Sequence, residues 1–157
     1  MSTTNLNADL ARCVERLVPG DYEGGGKVAD SSRREAEAVV CAARRGLIPK
    51  PIRRPRRGDG HSGDFVDGDG QDWDVKGEMS RSTLRAKIRA DAVAAGAEPR
   101  ELPADRRIKG EFELAKTLRE LEHELRAGEK VLFDLRGLDS DDTDALKNAV
   151  SESGNDA

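Results

Sequence analysis

Two aspartates and a lysine, Asp64, Asp74 and Lys76, stand out in this 157-residue chain because their spacing puts them on one surface. They belong to GDFVDGDGQDWDVKG, residues 63–77, in which Gly68-Asp69-Gly70 is flanked on both sides by period-two alternation. That pattern predicts a β-hairpin with a three-residue loop. Asp67 then faces Gln71, Phe65 faces Trp73 and Asp64 faces Asp74. Phe65, Trp73 and Val75 share the apolar surface, and Asp64, Asp74 and Lys76 share the other. A slip of one residue would scatter the apolar set, so the pattern selects this register. Two carboxylates brought within a few ångströms repel each other unless a cation lies between them. Hard oxygen ligands suit Mg²⁺, and a lysine on the same side reaches an attacking water or a phosphate oxygen. Together these groups have the chemistry of metal-assisted phosphodiester cleavage.

The elements that must position this face are legible from periodicity. A short helix is expected from about Asp9 to Val18, followed by the glycine-rich joint DYEGGGK. Asp30, Ser31 and Ser32 are candidate caps for a second helix running to about Arg45. Its apolar face is Ala36, Val39, Val40 and Ala43, with Glu35 and Glu37 on the flanks. Gly46 closes it, and an extended connector stiffened by Pro49, Pro51 and Pro55 carries arginines toward the hairpin. Beyond the hairpin, helices are expected over 80–95, closed by Gly96, and over 111–127, closed by Gly128. The second of these has a stripe of Leu114, Leu118, Leu121 and Leu125. Residues 131–135, VLFDL, suit a buried strand, and Asp142 or Thr143 is a candidate cap for a last helix ending near Val150. The fold class is α/β (α+β). Residues 1–27 are expected to be an extension with a short helix, 28–152 the domain, and 153–157 a disordered tail.

With that element order, Asp64 followed after nine residues by Asp74-Val75-Lys76 resembles the PD-(D/E)xK motif of restriction-endonuclease-like nucleases. Their αβββαβ core has a mixed central sheet flanked by helices. More narrowly, RREAEAVVCAARRGLIPKPIRRP through GDFVDGDGQDWDVKG is similar to nuclease domains of bacterial polymorphic toxins, the effectors of contact-dependent inhibition. The close likeness covers residues 33–77, and one position departs from the motif: Gly63 stands where a proline is expected. The resemblance implies a Mg²⁺- or Mn²⁺-dependent endonuclease, with DNA favoured over RNA as substrate. Its implied metal ligands are Asp64, Asp74, the Val75 backbone carbonyl and a helix carboxylate, Glu35 ahead of Glu37. Lys76 would orient the attacking water or help deprotonate it, and Gln71 would contact substrate. Arg53, Arg54, Arg56, Arg57 and Arg81 would hold nucleic acid. Such a toxin acts in the cytoplasm of a target bacterium and has a cognate immunity protein as partner.

Composition bounds the alternatives. Charged residues are 37% and aromatics 3%, and no apolar run approaches the ~20 residues of a membrane span. The first residues show no cleavable export signal. Cys13 and Cys41 make neither a disulfide framework nor a four-ligand zinc site. The net charge of −4 opposes indiscriminate coating of nucleic acid, yet Arg44–Arg57 holds seven basic residues and no acid. This strip supports a different expectation, a non-catalytic module that binds nucleic acid or an acidic partner. An immunity-type inhibitor would suit the acidic balance but leaves the hairpin face unexplained. A calcium loop from Asp67 is disfavoured, because its sixth position is Asp72 where a glycine is needed. His61 lies in the loop before Asp64 and His123 on a charged helix face, and neither carries a pattern of its own.

Overall fold

Glycine stops, leucine periodicity and one tight turn account for the elements that form. The computed structural model describes residues 3–18, 30–56 and 58–153. Helices α1 (Thr3–Leu17) and α2 (Asp30–Arg44) precede strands β1 (Phe65–Val66) and β2 (Asp72–Gly77). Helices α3 (Arg81–Ala94) and α4 (Leu114–Arg126) follow, then β3 (Lys130–Asp134), a 3-10 turn (Leu135–Gly137) and α5 (Ser140–Ser153). The result is an α/β fold whose three-stranded mixed sheet has the order β1-β2-β3. No helix among the described residues is long and apolar enough to cross a membrane.

Three helices end alike. At α2 the Gly46 N–H reaches the Ala43 carbonyl and the Leu47 N–H reaches that of Ala42, with Gly46 at φ +75°. Gly96 and Gly128 repeat this double closure after α3 and α4. A left-handed residue is required at that point, and glycine adopts it without steric cost. The last helix differs from expectation at its start. Its cap is Asp139, whose Oδ1 accepts the Asp142 N–H at 3.0 Å, and not Asp142 or Thr143. Asp141 and Asp142 instead fill the first turn, where acidic groups meet the positive end of the helix dipole.

The chain divides into two compact units, Met1–Lys76 with His123–Asp134, and Gly77–Glu122 with Leu135–Ala157. In the first unit α1 is part of the core. Val14, Leu17 and Val18 are buried with Ala36, Val39, Val40 and Ala43 of α2, Ile48, Phe65, Trp73 and Val75. The helix in 1–27 is therefore structural, because its apolar positions recur at helical spacing and cover α2. The glycine-rich joint before α2 and the tail beyond Ser153 lie outside the described residues.

Among the described residues, two strands separate α2 from α3. The third extended contact in this stretch is an isolated antiparallel bridge, in which Arg53 and Val66 exchange N–H···O bonds of 3.0 and 2.9 Å. Prolines on both sides of Arg53 keep that contact from growing into a strand.

The second unit buries few apolar side chains, Leu138 and Leu146 among them, and relies on polar links. The buried Ser80 Oγ donates to Asp142 and accepts the Asp139 N–H, while Ser82 Oγ donates to Asp139 at 2.7 Å. Thr117 Oγ1 donates to Glu78 at 2.9 Å.

Candidate functional site

The hairpin forms in the register that alternation predicts, with Phe65 opposite Trp73 and Val66 opposite Asp72. Buried Asp67 holds the turn. Its Oδ1 accepts the N–H groups of Asp69 and Gln71 at 2.9 and 3.0 Å, and its Oδ2 accepts Trp73 Nε1–H at 2.8 Å. Burial alone would raise the Asp67 pKa, but these donors and the nearby Lys130 charge outweigh it and hold the carboxyl below its usual value. Phe65, Trp73 and Val75 are buried as a set, so the alternate residues Asp72, Asp74 and Lys76 point away from that core. Gly63 lies hard against the hairpin backbone. A Cβ there would lie 2.8 Å from the Trp73 carbonyl oxygen, which excludes proline along with every other side chain.

Asp64 and Asp74 come together as the hairpin requires. Their carboxyl groups lie within hydrogen-bonding reach, and Asp64 Oδ2 accepts the Val75 N–H at 2.9 Å. Burial pushes the Asp64 carboxyl up to about 7, and the charges of Asp74 and Glu35 add to the rise, against the Val75 hydrogen bond. From α2, the charge acting on Asp64 is that of Glu35, which favours Glu35 over the half-buried Glu37 as the helix carboxylate. Lys76 Nζ stands 2.8 Å from Asp74 Oδ2 and 3.1 Å from Glu124 Oε1. Burial would lower the Lys76 pKa, but these two carboxylates outweigh it and raise the value, which keeps the ammonium charged.

Two members of this site were not foreseen from the sequence. Glu124, in the last turn of α4, and Glu129, just past the Gly128 stop, place carboxylate oxygens within 4.8 Å of one another and of Asp74. The glycine turn is what aims Glu129. Gln71 Nε2 donates to the Gly128 carbonyl at 3.0 Å, tying the hairpin to that turn, and Ser62 Oγ donates to Glu129 at 2.7 Å. Gln71 thus holds the frame of the site and spends its amide there. The available signal was spacing after the helix: an acid at 124 beside the leucine stripe and another one residue after the closing glycine.

A divalent cation fits this donor set. Every candidate ligand is a hard carboxylate oxygen, and Asp74 Oδ2 is buried with no hydrogen bond directed at it, although the Lys76 ammonium lies close. Mg²⁺ ligands at ~2.1 Å from the ion sit about 3–4 Å apart, so the three carboxylates need close in by less than about 2 Å.

The predicted nucleic-acid contacts are distributed differently. Arg54 is enclosed, its side chain only 7% exposed. Its guanidinium donates to Glu35 Oε2 and to the carbonyls of Ser32 and Leu17, and lies 4.1 Å over the Phe65 ring. Arg54 therefore joins α1, α2 and β1 and is not presented to a phosphate backbone. Exposed Arg53 pairs with Asp59 at 2.8 Å. Arg56 is exposed, and with Arg16, Ile52 and Pro55 it lines a cavity of about 290 Å³. Arg57 lies outside the described residues. Arg81, in the second unit, grips Glu111 with two hydrogen bonds of 2.9 Å. His61 Nδ1 meets Asp72 Oδ1 at 2.8 Å, which anchors the loop ahead of Asp64. Compared with protein families, with curated proteins and with solved structures, the chain matches none of them.

Proposed function

We propose that the chain is a metal-dependent nuclease that hydrolyses nucleic-acid phosphodiesters, with DNA favoured over RNA. The observation that carries this reading is the convergence of Asp64, Asp74, Glu124 and Glu129 around one face of β2, with the Lys76 ammonium among them. Asp74, Glu124 and Glu129 would hold Mg²⁺ or Mn²⁺, with Asp64 alongside and Glu35 behind it. When bound, the ion supplies a Lewis acid for the phosphoryl oxygen and a more acidic water. Lys76, kept cationic by its carboxylates, orients the nucleophile and offsets charge developing at phosphorus; a role as base is disfavoured. Asp64, with its pKa near 7, is the carboxyl whose proton exchanges most readily at neutral pH. The arginine-lined cavity beside Arg56 is the surface best suited to the phosphate backbone. Delivery into a bacterial cytoplasm as a toxin of the contact-dependent inhibition class, with an immunity protein as its partner, extends the same proposal.

One observation favours a second reading. The Lys76 ammonium already bridges Asp74 and Glu124, so the acidic face can be neutralised without an ion. The chain would then be a binding module that uses its basic cavity. Incubation with plasmid DNA and with tRNA, each with Mg²⁺ and with EDTA, separates the two. The nuclease reading expects metal-dependent cleavage that falls at least ~100-fold in Asp74→Ala and in Lys76→Met, a loss typical of removing an electrostatic catalytic group. Retention of either substrate on the protein with no cleavage under any metal condition selects the module.

A further inference from the structure

The second unit carries an arginine-walled cavity that the nuclease reading leaves unused. Helix α3 buries none of its residues, and Arg85 and Arg89, four positions apart, lie on one side of it. With the loop 99–102 they enclose about 230 Å³, whose walls include Arg100, Ile88, Leu102 and Glu101. Among the described residues no carboxylate pairs with Arg89 or Arg100. Arg85 is half committed: its Nη2 donates to the Pro103 carbonyl, while its Nε is buried with no acceptor. A buried donor left in that state is costly, so the Arg85 side chain is not fully satisfied by the protein around it.

Charge and size narrow the ligand. Three guanidinium groups against one carboxylate leave two positive charges on the walls. A phosphate monoester carries about −1.5 to −2 at neutral pH, whereas a carboxylate or a phosphodiester carries −1. The guanidinium fork also matches phosphate oxygens in pairs. The volume lies below the ~300–1,000 Å³ of pockets that enclose a drug-sized molecule, so one phosphate and the group attached to it fill the space. Ile88 and Leu102 offer that group an apolar wall. We propose that this cavity is a binding site for a phosphate monoester, either a small free phosphate or the terminal phosphate of a nucleic-acid strand. The proposal stands independently of the nuclease reading.

Calorimetric titration of the full chain in EDTA tests it. The probes are inorganic phosphate, adenosine 5′-monophosphate, acetate, and one short DNA strand carrying either a 5′-phosphate or a 5′-hydroxyl. Saturable binding of the phosphate probes is expected, with Kd of about 1 mM or tighter. The double variant Arg89→Ala/Arg100→Ala, its fold checked by circular dichroism, should weaken binding at least ~10-fold, and Glu101→Gln should strengthen it. Asp74→Ala should leave it unchanged, so loss of nuclease activity and loss of this site are read separately. Preference for the 5′-phosphorylated strand identifies a strand end as ligand. Equal or tighter binding of inorganic phosphate and the monophosphate identifies a small free phosphate. The proposal is overturned if no phosphate probe saturates, if acetate binds as tightly as inorganic phosphate and the monophosphate, or if the double variant binds those two like the parent.

Discussion

Asp64 holds its proton far longer in the folded chain than an unstructured aspartate does. The ordinary value is 3.8, and in the fold burial, then Asp74 and Glu35, bring it to about 7. Between those values the folded state binds more protons than the unfolded one, so stability from this group is present below about pH 4 and is lost as pH rises toward 7. The midpoint of thermal unfolding in EDTA should therefore fall between pH 5 and pH 8. In Asp64→Asn that fall should flatten, with a gain in stability at pH 8; an unchanged slope would remove Asp64 as its source. Identical side-chain types have very different roles here. Arg54 stacks on Phe65 and bonds three chain segments from within, whereas Arg56 faces solvent. A charge count along the sequence treats both as members of one basic strip, because it carries no information about which guanidinium the fold encloses.

Helix α5 shows how a single side chain sets the start of an element. Asp139 caps it through the Asp142 N–H and also receives Ser82 Oγ–H. Replacing it, Asp139→Ala, should cost about 1 kcal/mol of stability in urea unfolding, while Thr143→Ala should cost well under half of that. A larger effect at Thr143 would return the cap to the position expected from sequence. Local signals of this kind were largely legible. The hairpin register followed from side chains that alternate with a period of two, and Gly46, Gly96 and Gly128 each marked a helix end. The same reading brought Asp64, Asp74 and Lys76 to one face. It missed Asp139, because the denser acids at 141–142 offered a competing start, and it missed Glu124 and Glu129. Those two join the site only when the turn at Gly128 closes back on the hairpin, a long-range event with no period to betray it. The leucine stripe around Glu124 signals packing and says nothing of what the intervening acid meets.

Across the molecule, the two units differ in how they are held. The first has a continuous apolar core that runs through α1, α2 and the hairpin. In the second, α3 buries nothing, and much of the cohesion comes from hydroxyl–carboxylate links at Ser80, Ser82 and Thr117. Regions with few buried apolar contacts open at lower free energy than core elements. Amide hydrogen exchange should accordingly be at least ~10-fold faster in α3 than in the buried face of α2, measured on the whole chain at neutral pH. Equal protection in the two helices would mean that polar links alone secure the second unit as firmly as a core does. Neither unit is legible from composition, because both are drawn from interleaved stretches of chain and no linker-like change in composition separates them.

The carboxylates that meet at β2 come from remote stretches of chain: Glu35 from one helix, Asp64 and Asp74 from the hairpin, Glu124 and Glu129 from either side of a glycine reversal. In the random coil they are scattered, and their mutual repulsion exists only once the polypeptide has collapsed. Any multivalent counter-ion that prefers the gathered arrangement must then draw the folding equilibrium toward the native side by mass action. Occupancy of the acidic face and persistence of the native chain become two readings of one balance, so the ionic composition of the surrounding medium would govern how long the folded protein survives.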